Sequence, residues 1–272
     1  MNLSIIIVAF NAREDLAGCL ASLHAAPPAI PHDITVVDNA SSDGGPQEIR
    51  ARWPGTHVIE LDRNLGFAAG NNVGIRATTG ELLLLLNSDT IAKPGALDVL
   101  AARLLSDMSI GAVGPRLVDD NGRAELSFGA MISPIAEMRQ KAVGGLYAAG
   151  VGPIVSWVDR LTRREQDVDW VSGACLMVRR ADAEAVGLLD ERFFLYTEDV
   201  DFCAQLRARA RRIVFTPAAE VVHRRGRSRA SAPAAMNVAY RRSQLAFYEK
   251  HHPGWLPVLR AYLRVKGALP PD

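Results

Sequence analysis

ELLLLLNSDT, residues 81–90, is the stretch on which the fold turns. Five consecutive leucines are too few to cross a membrane, and a strand that is apolar at every position is one buried on both faces. Such a strand belongs to a sheet covered by helices on either side. A chain leaving it at Asn87 presents Asn87, Ser88 and Asp89 at the sheet's edge. Upstream, Ser4 to Ala9, Asp33 to Val37 and His57 to Leu61 have the same character, each followed by polar or Gly-rich punctuation. Between them Ala12 to His24, with Leu16, Leu20 and Leu23 at helical spacing, and Gly45 to Trp53 read as helices. Strand and helix in alternation predict βαβ units and an α/β fold, with an open, doubly wound, mostly parallel sheet.

Further along, the spacing predicts a helix over 96–105 and a strand over 112–118. From about Asp119 to Gln166 the pattern loosens into a loop-rich insertion with one helix, where specificity often resides. DWVSGACLMVRR (169–180) reads as a strand, Ala181 to Val186 and Thr197 to Ala210 as helices, and Ile213 to Thr216 and Glu220 to Val222 as strands. His223 follows, then a basic linker, RRGRSRASAPAA, and a helical region from about Met236.

Composition sets bounds. Of 272 residues, 49% are hydrophobic and 22% charged, enough for a real core and against a fibrous or disordered chain. Three dispersed cysteines, Cys19, Cys175 and Cys203, without CxxC spacing indicate neither a disulfide framework nor a zinc knuckle, and fit a reducing cytoplasm. No run of 18 apolar residues occurs, and MNLSIIIVAFN lacks the features of a leader. The expectation is a cytoplasmic protein starting in its first strand. The formal net charge of +1 hides an asymmetry, since residues 202–272 carry 14 Lys or Arg against 3 Asp or Glu. That is the mark of a polyanionic partner or of a solvated Arg-rich face.

Ligands of an open α/β sheet bind beyond the carboxyl ends of its strands. The loops there read FNARED, DNASSDGG, DRNLGFAAGNNVG and NSDT. Neither GxGxxG nor GxxxxGK[ST] follows the first strand, which argues against a dinucleotide fold and a P-loop NTPase. Asp38, closing TVVD, can accept from an imide N–H or a ribose hydroxyl, or can serve an Asx-turn, as Ser41 and Asp43 do. Asp89 is the kind of ligand that a hard divalent cation bridging a diphosphate wants, though NSD also makes ordinary turns. Gly66, Gly70 and Gly74 with Asn64, Asn71 and Asn72 suit a loop that brings backbone close to a ligand, or a loop and helix start.

The helix Thr197 to Ala210 offers three carboxylates. Counting from Asp199, positions +3, +4, +7 and +11 are Phe202, Cys203, Leu206 and Ala210, an apolar stripe that turns Asp199 inward and leaves Glu198 and Asp201 on the flanks. An inward carboxylate at a helix start is a dipole partner or a catalytic base. Glycoside hydrolysis needs two carboxylates flanking the bond, which adjacent residues do not provide.

VVDNASSDG, NLGFAAGNN, LLLNSDT, DWVSGACLMVRR, FFLYTEDVDFC and HRRGRS, in this order, resemble the inverting family 2 glycosyltransferases of GT-A fold, most closely the bacterial rhamnosyltransferase-type members. The resemblance covers roughly residues 3–229. NSD stands where the family more often has DxD or NPD, which leaves Asp89 as the one carboxylate. The resemblance implies a donor site of Ala9, Asn11, Asp38, Asn64, Gly66, Phe67, Gly70, Asn71, Asn87 and Ser88. Asp89 and His223 would hold Mg2+ or Mn2+ against the diphosphate, and Trp170, Ser172 and Gly173 would shape the sugar and acceptor site. Asp199 would be the base, with Glu198 beside it. The implied activity moves a sugar, first L-rhamnose from dTDP-rhamnose, otherwise glucose, galactose or N-acetylglucosamine from UDP, to a glycan or lipid-linked acceptor. A nucleotide-sugar-binding module without catalysis is the non-enzyme alternative. Residues 1–230 form the transferase domain, divided near 118 into donor and acceptor parts, and 231–272 a basic helical appendage.

Arg224, Arg225, Arg227 and Arg229 suit a diphosphate, a nucleic acid or anionic lipid, but no aromatics for base stacking are interleaved, which argues against nucleic acid. LPVLRAYLRVKGALPP, with Leu259, Tyr262, Leu263 and Val265 near Arg260, Arg264 and Lys266, reads as an interfacial helix for peripheral membrane contact. His251 and His252, beside Pro253, read as a turn or an interfacial segment.

Overall fold

The computed structural model describes residues 1–224 and 233–271. The chain begins β1 (Leu3–Ala9), α1 (Arg13–Ala25), β2 (His32–Asp38), α2 (Gly45–Arg52), β3 (His57–Glu60), α3 (Gly66–Ala77) and β4 (Leu82–Asn87). β5 (Thr90–Ala92), α4 (Ala96–Leu105), β6 (Ile110–Val118) and the short β7 (Phe128–Gly129) follow. Next come α5 (Pro134–Ala148), α6 (Gly152–Leu161), β8 (Gln166–Val168), β9 (Trp170–Val171), β10 (Cys175–Arg179), α7 (Arg180–Ala185), α8 (Glu198–Ala208) and β11 (Arg212–His223). Helices Pro233–His251 and Leu256–Val265 close the described chain.

The main sheet runs in the order β3-β2-β1-β4-β10-β6-β11-β5, with β8 on β11. β1 to β4 pair in parallel, β10 is antiparallel to both β4 and β6, and β11 is parallel to β6. The leucine run of β4 divides as its period-2 geometry requires. Leu82, Leu84 and Leu86 join Leu16, Leu20 and Leu100 on one face, whereas Leu83 and Leu85 join Ile75, Phe202 and Phe247 on the other. Both C-terminal helices enter that second cluster through Phe247, Tyr248, Leu259 and Leu263.

Several local readings change. The 119–166 insertion holds two helices, α5 and α6. The first starts at Ser133, whose hydroxyl accepts from Ala136 N–H, followed by Pro134. α5 buries no residue, so its apolar positions do not mark a core-facing stripe. DWVSGACLMVRR is not one strand: β9 pairs with β7 in a separate two-stranded sheet and β10 joins the main sheet, with the chain bending at Ser172–Ala174. His251 is the last residue of a helix, not part of a turn. The apolar stripe assigned to the last helix is split, since Leu259 and Leu263 are in the core while Tyr262 and Val265 stay exposed. The three cysteines are free and buried. Among the described residues no helix is long and apolar enough to cross a membrane.

Candidate active site

The carboxyl ends of β1, β2 and β4 lie side by side, because β1 pairs with both neighbours. Ala9 and Asp38 are register partners there. Asp38 is 3% exposed, and one carboxylate oxygen accepts from Ser41 N–H at 2.9 Å. It therefore makes the Asx-type turn and still carries a second oxygen. Asn11, in a left-handed conformation (φ 48°), accepts from Ser42 N–H and receives no help from glycine. Asp43 accepts from Arg13 N–H and Gly45 N–H, the turn role expected of it.

The glycine-rich segment is helical from Gly66 onward rather than a loop. Asn64 accepts from Gly66 N–H at 2.9 Å, and Gly66 has φ +85°. A Cβ on Gly66 would lie 2.2 Å from the Phe194 carbonyl oxygen, which accepts from Phe67 N–H at 2.7 Å. Gly66 thus lets the start of α3 meet the segment leading to α8. Gly70 and Gly74 sit against β1, where a Cβ would lie 2.9 Å from Val8 Cγ1 and 2.5 Å from Ile6 Cγ2. The absent side chain of Gly70 lets α3 pack against Val8 of β1. Asn71 is fully buried, donates to Phe67 O, and keeps an orphaned Oδ1. Asn39, which no motif singled out, is 3% exposed and ties the second loop to α3, donating to Gly66 O and accepting from Leu65 N–H.

Asp89 and His223 meet at the far side of the β4 tip, where Asp89 Oδ1 is 3.3 Å from His223 Nε2. His223 Nδ1 is 3.1 Å from Glu125 Oε2, and Asn87 Nδ2 is 3.4 Å from His223 Nε2. Burial alone lowers the His223 pKa, but the bonds to Asp89 and Glu125 outweigh it and push it up to about 9. Glu125 is 98 residues away in the chain, and only β6–β11 pairing and the Val118–Ala124 bridge bring it here. Ser88 is half-buried in the turn between them. Arg224 N–H donates to Asp89 O, and Arg225, Arg227 and Arg229 lie outside the described residues.

Asp199 closes the other side. Its Oδ2 accepts from Gly173 N–H and its Oδ1 from Val200 N–H, each at 2.9 Å. Ala174 O in turn accepts from Asn87 N–H, so one residue step and two hydrogen bonds separate Asp199 from the β4 tip. A Cβ on Gly173 would lie 3.2 Å from the Phe67 ring and 3.3 Å from Asp199 Cβ, which places donor-side Phe67 against the same corner. Ser172 Oγ accepts from Ala174 N–H and holds this bend.

The helical reading of α8 is reversed in one respect: Asp199 is the more open carboxylate, while Glu198 and Asp201 are 5% and 1% exposed. A single apolar stripe would leave the flanks free, but the Pro233–His251 helix covers one of them. From it Lys250 Nζ and His251 Nε2 reach Asp201 at 2.9 and 2.6 Å. The same helix engages the approach to α8, with Thr197 donating to Ser243 O and Ser243 to Leu195 O. Tyr196 and Thr197 are consecutive left-handed residues that turn the chain into α8. Glu198 Oε2 is buried without a hydrogen bond, and burial, then the charge of Asp199, hold its pKa well above the usual carboxylate range. Trp170 is 8% exposed, packs in the second core cluster and donates its indole N–H to Ala130 O at 3.0 Å. Two surface hollows, of about 350 and 620 Å3, contain none of these carboxylates.

This arrangement, Asp38 and Asp89 at the carboxyl ends of β2 and β4 with Asp199 tied to the β4 tip through Gly173 and Ala174, agrees with what the chain resembles. The family model described as Glycosyl transferase family 2 matches residues 4–186. The chain belongs to glycosyltransferase family 2. It is 31% identical over 265 residues to the N-acetylglucosaminyl-diphospho-decaprenol L-rhamnosyltransferase of Mycobacterium tuberculosis, an alignment covering 93% of this chain and 86% of that one. It is 29% identical over 217 residues to the low-salt glycan biosynthesis hexosyltransferase Agl10 of Haloferax volcanii, covering 76% of this chain and 62% of that one. The mannosyltransferase PcManGT from Pyrobaculum calidifontis, solved with GDP-Man and Mn2+, matches with TM-score 0.61 at 16% identity, over 96% of this chain and 68% of that one. GalNAc-T7, solved with UDP, GalNAc and Mn2+, matches with TM-score 0.60 at 16% identity, over 82% of this chain and 44% of that one. The glycosyltransferase has the GT-A α/β fold, and it is an enzyme of the rhamnosyltransferase-like branch of family 2.

Proposed function

We propose that this glycosyltransferase moves L-rhamnose from dTDP-rhamnose to a hydroxyl of a diphospho-polyprenol-linked N-acetylglucosaminyl acceptor, with inversion and Asp199 as general base. The observation that carries the proposal is the pair of backbone N–H bonds that fix both Asp199 oxygens beside the β4 tip. A base so held can take a proton only from a hydroxyl placed in that corner. As the acceptor oxygen bonds to the anomeric carbon, its proton passes to Asp199 and the bond to the diphosphate breaks on the opposite face, so configuration inverts. Burial, then the charge of Asp199, raises the pKa of Glu198 behind it, which disfavours a second charge beside Asp199. Asp38 presents its remaining oxygen to the base or ribose, and Phe67 lies between donor side and Asp199.

The residues at the β4 tip fit a divalent cation. Asp89 Oδ1 and His223 Nε2 face each other, and His223 Nδ1 turns to Glu125, as the outer carboxylate of a metal-bound histidine does. Among the described residues no cluster of three His, Cys, Asp or Glu side chains supplies a closed metal site. Diphosphate and water oxygens would complete the shell, and an imidazole ligand suits Mn2+ better than Mg2+. When bound, the cation would neutralise charge building on the departing diphosphate. The test is donor-dependent thermal stabilisation over a panel of nucleotide sugars with and without Mn2+, beside turnover of Asp199→Asn. Stabilisation by dTDP-rhamnose above UDP-sugars, retained in the variant while turnover is lost, is expected. Unchanged turnover in the variant would remove Asp199 as the base, and stabilisation by donor without turnover in the wild type would leave a binding module.

A further inference from the structure

The acceptor side of the molecule carries apolar surface that the fold does not use. α5 buries none of its fifteen residues, and it exposes Ile135 (66%) and Met138 (65%), with Leu146 completing one helical face. Trp157 on α6 is also exposed. Trp255, ending the 3-10 turn, and Val258, Tyr262 and Val265 on the last helix form a second exposed face at spacings of three, four and three, about 100° around the axis from the buried Leu259 and Leu263. The segments that carry them are tied together near the start of α5. His252 Nε2 is 2.7 Å from Ile132 O, just before α5, and Gln244 donates to Glu137 on its first turn. Trp255 follows His252 through one turn of 3-10 helix.

Unpaired charge near these faces is positive. Arg139 on α5 and Arg260, Arg264 and Lys266 at the last helix are exposed and have no acidic partner among the described residues. The last helix contains no Asp or Glu. Scattered exposed apolar residues are ordinary, but two exposed apolar helical faces accompanied by unpaired cations match the interfacial region of an anionic bilayer. A backbone link ties this surface to Asp199. α5 grows out of the β7 segment that pairs with Trp170–Val171, and Ser172 N–H donates to Ser127 O next to Gly173 and Asp199.

We infer that α5 and the Leu256–Val265 helix together form a membrane-docking face for an anionic lipid surface, which presents the acceptor head group at the mouth of the Asp199 cleft. The inference rests on the reading of the acceptor as lipid-linked, and it places the contact on two helices instead of on the basic tail alone. Unlike a nucleic-acid site, this surface offers apolar helix faces and no stacked aromatic row.

The full chain is sedimented with vesicles of phosphatidylglycerol and phosphatidylcholine in equal parts, and with pure phosphatidylcholine. Binding to the anionic vesicles alone is expected. Met138→Glu with Val258→Glu should abolish it, and Arg260→Glu with Arg264→Glu should weaken it by about fivefold or more per cation. Each variant is also assayed on a short-chain, water-soluble acceptor bearing the same diphospho-sugar head. Full turnover there, with loss on acceptor embedded in vesicles, supports the docking face and shows that the variants fold. Wild-type-like vesicle binding by both variants overturns it, as does a stable dimer in solution that these substitutions split. An enzyme inactive on the soluble acceptor but bound to anionic vesicles through these residues sinks the acceptor reading and leaves the docking face standing.

Discussion

Gly66→Ala tests the joint between the donor side and the catalytic helix. At φ +85° an alanine costs about 1 kcal/mol in backbone strain alone. Its Cβ would sit 2.2 Å from Phe194 O and 2.9 Å from Phe194 C, backbone atoms that cannot rotate aside. Relief requires a shift on the order of 1 Å between α3 and the segment 194–197. That shift breaks the Phe67–Phe194 bond and strains the Asn64–Gly66 bond, about 1 kcal/mol each. The sum is roughly 2–4 kcal/mol, or roughly 6–12 °C in Tm for a chain of this size. Phe194 lies five residues before Asp199, so kcat should fall by up to about 100-fold, the cost of misplacing a reacting group by such a distance. Gly122→Ala is the control: its φ is +75° and nothing lies within 4 Å of its Cβ position, so it should lose only the strain term. Thermal and urea denaturation, with steady-state kinetics, read both variants. If Gly66→Ala matches Gly122→Ala within about 1 kcal/mol and keeps its kcat within about twofold, the contact reasoning is wrong.

Other outcomes follow from the same geometry. Asp199→Asn should lower kcat by about 10²–10⁴-fold while donor affinity, read by titration calorimetry, stays constant. Glu198 holds its proton to higher pH when folded than when unfolded, so the native state binds more protons in that interval and stability falls as pH rises above about 4.3. Glu198→Gln should flatten that decline and gain on the wild type toward alkaline pH in urea titrations; parallel curves would contradict the buried neutral carboxyl. Asp201→Ala strands His251 and one bond of Lys250, which keeps Asp190, and should cost about 3 kcal/mol with faster hydrogen exchange at the end of the Pro233–His251 helix. Glu125→Gln should weaken activation by Mn2+ about 10–100-fold, and an unchanged Mn2+ titration would remove Glu125 from the site.

The order of motifs was legible in the chain because each lies within a few residues of a strand end. β1, β2 and β4, the helix at 96–105 and the tips carrying Asp38 and Asp89 follow from period-2 burial and from the rule that ligands meet strands at their carboxyl ends. Asp199 followed from its place at a helix start. Periodicity misled where a helix is covered from more than one side, as at Glu198 and Asp201, or from none, as along α5.

What the sequence by itself determined is the sheet, its helices and the carboxylates at their ends, since these depend on local spacing and burial. Only the tertiary structure decided that Glu125 backs His223, that Gly66 admits Phe194 and that His251 and Lys250 fasten Asp201. It also decided that Gly70 and Trp170 serve packing. Each of these pairs residues tens to more than a hundred positions apart, and a contact of that span is fixed by how whole elements pack, which no local pattern along the chain records.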